Sequence, residues 1–444
     1  MFNANSFSLI LIAYLCLTFA YAVNMWFSIS GVYLLIASVS ILSIAIFLKN
    51  PLKISNDRKE DLLKLTLILF VLINFSINVV DINGELSFAM VVNRLSLFLS
   101  ILGSLLFFLY SGGQNKIFNF LFNKKFLILI ILAFVIELTS IRILKTPDID
   151  VLGVLKNGPL RVLALQNPYE TSATNNKLSD VNFGYYHYAY GPTTIYLFLP
   201  FDFIFKDPRY LLIIASMVTA YTLYMIAKLS GQGELVSQLL PLIYLFNPRT
   251  FYFLSYVLTD GLIISLMGLA LLFLAKNRFK LFSVAVAFAL GIKIFYAIPF
   301  FFFLKLKALR KPGVILWGFL TLFLIHMPFV LLNFRALYKS IVSINTNPEV
   351  FSLLRRAGLT FATLMDRQFH YYPPEKFFVI SILLIILIAW IFIPKAKNLA
   401  NAICGVSVVF VLSVFFGPIG NGNYYSTASG LLLFALASFN LNND

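Results

Sequence analysis

Two carboxylates bracket one residue in Thr146-Pro147-Asp148-Ile149-Asp150, directly after a long apolar run. Asp148 and Asp150 have two chemical uses. They can together hold a divalent cation, Mg or Mn, or one can act as a general base while the other orients it. Taken alone, Asp-x-Asp is common, and a solvated loop end explains it somewhat better. Asp260 opens another apolar run, shortly after Asn247-Pro248-Arg249. Lys293 stands inside FALGIKIFYAIPF, and an ammonium among such neighbours is costly unless it meets an anion. The residues one helical turn away are Ala289, Leu290, Tyr296 and Ala297, so that anion comes from elsewhere. A bound phosphate and Asp260 are the two candidates. Arg355 and Arg356, with His370 beyond them, read either as phosphate and sugar contacts or as one solvated amphipathic helix. Tyr188 and Tyr190 can stack on a sugar, and equally suit a membrane interface.

These residues sit between elements whose nature composition decides. Hydrophobic residues make up 60% of the 444, charged residues 12%, and the mean hydropathy is +0.90. A soluble domain is about 45–50% apolar and about 25% charged. Continuous apolar runs near the ~20 residues a helix needs to span hydrocarbon recur along the chain. They predict an all-α, polytopic membrane protein with about 12–14 transmembrane helices. The net charge of +16 does not require nucleic acid. Segments 49–64, 111–125, 228–234, 276–280, 305–311 and 394–397 hold 18 of the 34 Lys and Arg, but four of the 18 Asp and Glu. That asymmetry places them on the cytoplasmic side. Cys16 and Cys404 both fall in apolar runs, against a disulfide framework or metal cluster.

Three regions follow: amino-terminal transmembrane helices over 1–125, a module over 126–310 with an outer loop at 145–191, and carboxy-terminal helices over 311–444 with an outer loop at 333–376. Two runs break simple alternation. Residues 192–205, with two prolines in a short run, read as a re-entrant or surface segment. Residues 282–304 have basic flanks at both ends, which one span cannot give, so a helix broken near Gly291–Lys293 is expected.

Asp148-Ile149-Asp150, then Asn167-Pro168-Tyr169, then Tyr188-Ala189-Tyr190-Gly191-Pro192 leading into an apolar run resembles the polytopic GT-C glycosyltransferases. The likeness is greatest to their polyprenyl-phosphate-mannose-dependent group, including the catalytic subunit of GPI mannosyltransferase I, and covers roughly 126–300. It implies a GT-C-like fold with Asp148 and Asp150 catalytic. It implies Lys293 at the donor phosphate, and Asn167, Tyr169, Tyr188, Tyr190 and Asp260 near sugar or acceptor; beyond its reach, Arg355 and Arg356 in the second outer segment are read as further donor-phosphate contacts and His370 as a sugar or acceptor contact. The donor would be a polyprenyl- or dolichyl-phosphate sugar, mannose first. The acceptor would be a glycan or a lipid-linked saccharide at the outer face of a prokaryotic cell membrane. Transfer would be inverting. The lipid phosphate is a good leaving group, so such a site needs a base and cations rather than a general acid. Two other classes compete: an O-antigen-type polymerase or ligase, and a transporter or lipid flippase.

Overall fold

The computed structural model describes residues 6–22, 27–47, 55–76, 103, 124–143, 150–170, 188–294, 297–343, 358–392 and 398–441. Every regular element among them is helical. The amino-terminal helices are α1 (Ser6–Ala22), α2 (Ile29–Phe47), α3 (Asn56–Ser76) and α4 (Lys125–Ile143). The middle of the chain forms α5 (Asp150–Leu163), α6 (Pro192–Phe205), α7 (Arg209–Leu229), α8 (Glu234–Leu245), α9 (Thr250–Ser255), α10 (Asp260–Ala275) and α11 (Phe279–Leu290). Short helical turns over 297–310 lead into α12 (Pro312–Tyr338), followed by α13 (Phe361–Phe369), α14 (Glu375–Phe392), α15 (Leu399–Phe415) and α16 (Gly422–Ala437).

Three helices among the described residues are long and apolar enough to cross a membrane: Ile29–Phe47, Arg209–Leu229 and Pro312–Ile341. Others are shorter than expected. α8 and α11 have 12 residues each, about 18 Å, against the ~30 Å of a hydrocarbon core. Residues 88–110, expected to form a further span, lie outside the described residues except for 103.

The core forms around α16, where every residue from Leu431 to Ala437 is fully buried. α1, α10 and α15 pack on it, so the two ends of the chain share one core. Small residues permit the approach. A Cβ at Gly268 of α10 would lie 2.6 Å from the Phe434 ring of α16 and 2.5 Å from Thr222 Oγ1 of α7. By contrast α12 and α14 turn their side chains outward: Leu316, Phe319 and Leu331 on one, Val379, Leu383 and Ile391 on the other, all at least 60% exposed. An apolar face of this extent suits hydrocarbon rather than water.

Both expected outer loops contain helix. The outer loop at 145–191 contains the 14-residue helix α5. Gly153, Gly158 and Pro159 lower its intrinsic propensity and hide it, but its apolar stripe seats it on α6. The loop at 333–376 likewise begins as helix. α12 is interrupted at Asn333, whose Oδ1 accepts from the Ala336 backbone N–H at 3.0 Å and restarts the helix to Tyr338. The break near Gly291–Lys293 is present: α11 stops at Leu290 and Gly291 caps it.

Candidate functional site

Asp150 opens α5, while Asp148, Arg355 and Arg356 lie outside the described residues. The motifs around them converge. Asn167 Oδ1 accepts from the Tyr169 backbone N–H at 3.1 Å, an Asx turn that closes the Asn-Pro-Tyr segment. Tyr169 then donates its hydroxyl to the Tyr190 carbonyl at 3.0 Å, joining that segment to Tyr-x-Tyr-Gly-Pro. Ser340 Oγ donates to the Tyr169 carbonyl at 3.3 Å, and Asn333 Nδ2 donates to Glu170 at 2.8 Å, so the end of α12 clamps the same turn.

Pro192 takes the first turn of α6, where its missing N–H costs nothing, and Gly191 precedes it in extended conformation. Thr194 Oγ1 donates to the Gly191 carbonyl at 2.6 Å. Its single hydroxyl hydrogen is thereby used, so in the 2.7 Å contact between Tyr188 and Thr194 the tyrosine is the donor. This turn is bonded to the α11 break. The Gly191 N–H donates to the Ile292 carbonyl at 2.9 Å, and the Thr193 N–H to the Gly291 carbonyl at 3.1 Å. The chains are too close for side chains: a Cβ on Gly191 would lie 2.1 Å from the Gly291 carbonyl oxygen, and one on Gly291 would lie 2.2 Å from Thr193 Oγ1. Gly158 of α5 lies against the Tyr188 ring, 2.1 Å from where a Cβ would stand.

The joint presents Lys293 to the start of α10. Its ammonium lies 3.0 Å from Asp260 Oδ2 and 3.3 Å from Oδ1, and 4.8 Å from the Tyr424 ring centroid. Asn423 Nδ2 donates to Asp260 Oδ2 at 2.6 Å. Asp260 is 1% exposed and sits in the first turn of α10, where the helix dipole favours negative charge. Lys293 therefore meets Asp260, the protein anion its sequence context left open. Behind the pair is a cavity of about 50 Å³ lined by Tyr21, Asn247, Gly261, Ser426 and Ser429, among others. Its wall is largely apolar, with Leu212, Phe253, Leu254, Leu258, Ile264 and Leu433, and the polar groups in it are bonded to one another or nearby: Tyr21 bonds Asn247 and Ser429, and Ser426 Oγ donates to the Asn423 carbonyl.

The residues expected near sugar or acceptor lie at the same joint or close to it. Tyr169 and Tyr188 are 1% and 4% exposed and pack edge-on to each other at 5.6 Å, so their rings cement the turn. Tyr190 is half-buried. His370 is exposed and caps α13 in left-handed conformation, φ 51°. α13 is tied to the same end of the fold, since the Leu359 N–H donates to the Gly420 carbonyl at 2.7 Å, ahead of Asn423 and Tyr424. Among the described residues, no three His, Cys, Asp or Glu side chains gather as a metal site. Sequence reasoning passed over Asp202, the one acid in the apolar run 192–205; it is 1% exposed and neither carboxyl oxygen has a hydrogen-bond partner among the described residues.

No known protein family matches the chain, and neither curated proteins nor solved structures give a match.

Proposed function

We propose that this chain is a multi-pass membrane glycosyltransferase of GT-C type, which moves a sugar, mannose first, from a polyprenyl- or dolichyl-phosphate donor to a glycan or lipid-linked acceptor. The observation that carries the reading is the convergence of Asn167-Pro168-Tyr169, Tyr188-to-Pro192, and Gly291-to-Lys293 at one joint, beside Asp260 and at the helix that Asp150 opens. Segments far apart in sequence, singled out for their chemistry, meet there.

In this reading Asp148 or Asp150 takes the acceptor proton and the other orients it or holds a divalent cation. Lys293, fixed by Asp260, which Asn423 holds in turn, faces the donor phosphate as charge builds on its bridging oxygen. Asp260 thus positions Lys293, and the tyrosines hold the turn. The surroundings are the bilayer of a prokaryotic cell, which supplies the donor from within the membrane.

The test incubates the purified full chain with polyprenyl-phosphate mannose, glucose or arabinofuranose and membrane lipid extract, and follows donor consumption. One donor should be consumed, and Asp150→Asn and Asp148→Asn should each be tried. Loss of a positioned acid–base group lowers turnover by about 10²–10⁴. If all three donors survive, or if both variants turn over normally, the reading falls.

A further inference from the structure

The end of α11 away from Lys293 carries a different chemistry. Segments 276–280 and 305–311 contain Lys276, Arg278, Lys280, Lys305, Lys307, Arg310 and Lys311 and no acid. They come together in the fold: the Lys280 ammonium lies 5.8 Å from the Trp317 ring of α12, and that of Lys311 lies 5.6 Å from the Phe279 ring of α11. Beside them is a groove of about 430 Å³ between the start of α12 and the end of α14, lined by Phe301, Leu304, Lys305, Arg310, Ile315 and Trp390.

Both cations are held at its mouth. Arg310 donates through Nε to the Leu304 carbonyl at 2.7 Å and through Nη2 to the Lys305 carbonyl at 3.3 Å. A guanidinium has five N–H donors, so this fixes its plane and leaves others for a ligand. The Lys305 ammonium donates to the Trp390 carbonyl and lies 4.5 Å from that indole's ring centroid. Among the described residues, no acid lines the groove. Next to its lining residues Ile315 and Trp390 stand Leu316 of α12 and Leu387 and Ile391 of α14, outward apolar side chains that are all more than half exposed. Two fixed cations and an indole at the head of an apolar channel match a phosphate ester above an acyl chain.

We propose that this groove is a binding site for an anionic glycerophospholipid, its phosphodiester against Arg310 and Lys305 and one acyl chain along α12 and α14. The site rests on the membrane part of the functional reading and not on sugar transfer, so its test needs no turnover.

Phosphatidylglycerol and phosphatidylcholine with identical chains are titrated into the detergent-purified full chain, and bound lipid is counted by native mass spectrometry. Phosphatidylglycerol should be retained preferentially. Arg310→Gln should weaken its apparent affinity about fivefold, the value of about 1 kcal/mol per surface cation. Arg310→Lys should restore most of it. Lys307→Gln removes the same charge outside the groove and should change affinity less than about twofold. Ile315→Trp fills the groove while keeping every charge and should weaken retention too. Equal retention of the two lipids overturns the site, as does an equal loss in Arg310→Gln and Lys307→Gln, which marks diffuse attraction. Displacement of the lipid by glycerol phosphate at matched concentration also overturns it, because the chain would then contribute nothing.

Discussion

Asp260 and Asp202 are equally buried, each 1% exposed, and their surroundings are opposite. Asp260 stands in the first turn of α10, where the helix dipole favours its charge, and it receives Lys293 and Asn423. Asp202 stands near the last turn of α6, where the dipole opposes a negative charge, and nothing among the described residues donates to it. Lys156 of α5 pulls on it from a distance, while Asp207 pushes. Burial alone therefore says little about a buried acid. What decides its state is which end of a helix carries it and which donors the neighbouring elements bring.

The comparison is broken most severely at Lys293. Lys293→Met should destabilise the fold by about 3–5 kcal/mol, because Asp260 is left charged and buried. Adding Asp260→Asn should recover much of that loss. Chemical denaturation in detergent, run as a double-mutant cycle, measures both, and a double variant as unstable as the sum of the single ones would deny the coupling. Next comes Asn423→Ala, which removes a hydrogen bond to a charged group and should cost about 1.5–3 kcal/mol by the same assay.

The smallest effect, and the one of opposite sign, belongs to Asp202. α6 has 14 residues, about 21 Å, too short to span hydrocarbon. Burial pushes the Asp202 carboxyl up to about 7, against the pull of Lys156. The folded state thus keeps a proton that the unfolded chain releases near pH ~4. Wild-type stability should fall as pH rises from about 4 to about 7 and then level off. Asp202→Asn should remove that slope, leaving the variant no more stable at pH 4 and about 1–3 kcal/mol more stable at pH 8. Melting temperatures across this range decide it, and a variant that keeps the wild-type slope would show the slope to come from another group.

The broken helix at Gly291 was legible because charge on both flanks forbids a single crossing, a constraint that needs no three-dimensional information. That Lys293 needs an anion from elsewhere was legible, because no acid lies one helical turn from it, but the sequence left Asp260 as the rival to a bound phosphate, and only the fold brings the two side chains together. α5 was not legible: glycines and a proline make Asp150–Leu163 read as loop, and the packing that overrides them comes from α6, more than 25 residues on. Tyr169 and Tyr188 carried a signal of convergence. An aromatic residue in a loop looks available, and only the fold reveals that the two rings pack edge to face. Asp202 was visible as a lone acid in an apolar run, yet its significance lies in what the neighbouring helices fail to donate.

The bond from the Gly191 N–H to the Ile292 carbonyl joins points about one hundred residues apart in the chain. Everything from α6 to α11 lies inside that loop, so the contact cannot reward folding until those helices have been inserted and packed. The joint is thus a late event in assembly, and its closure reports that the intervening bundle has the right length and order. A side chain at either glycine would act less on the finished helices than on the final step that brings their ends together. The cell would meet such a defect as slow maturation of a nearly complete protein, with the lysine-bearing limb still unattached.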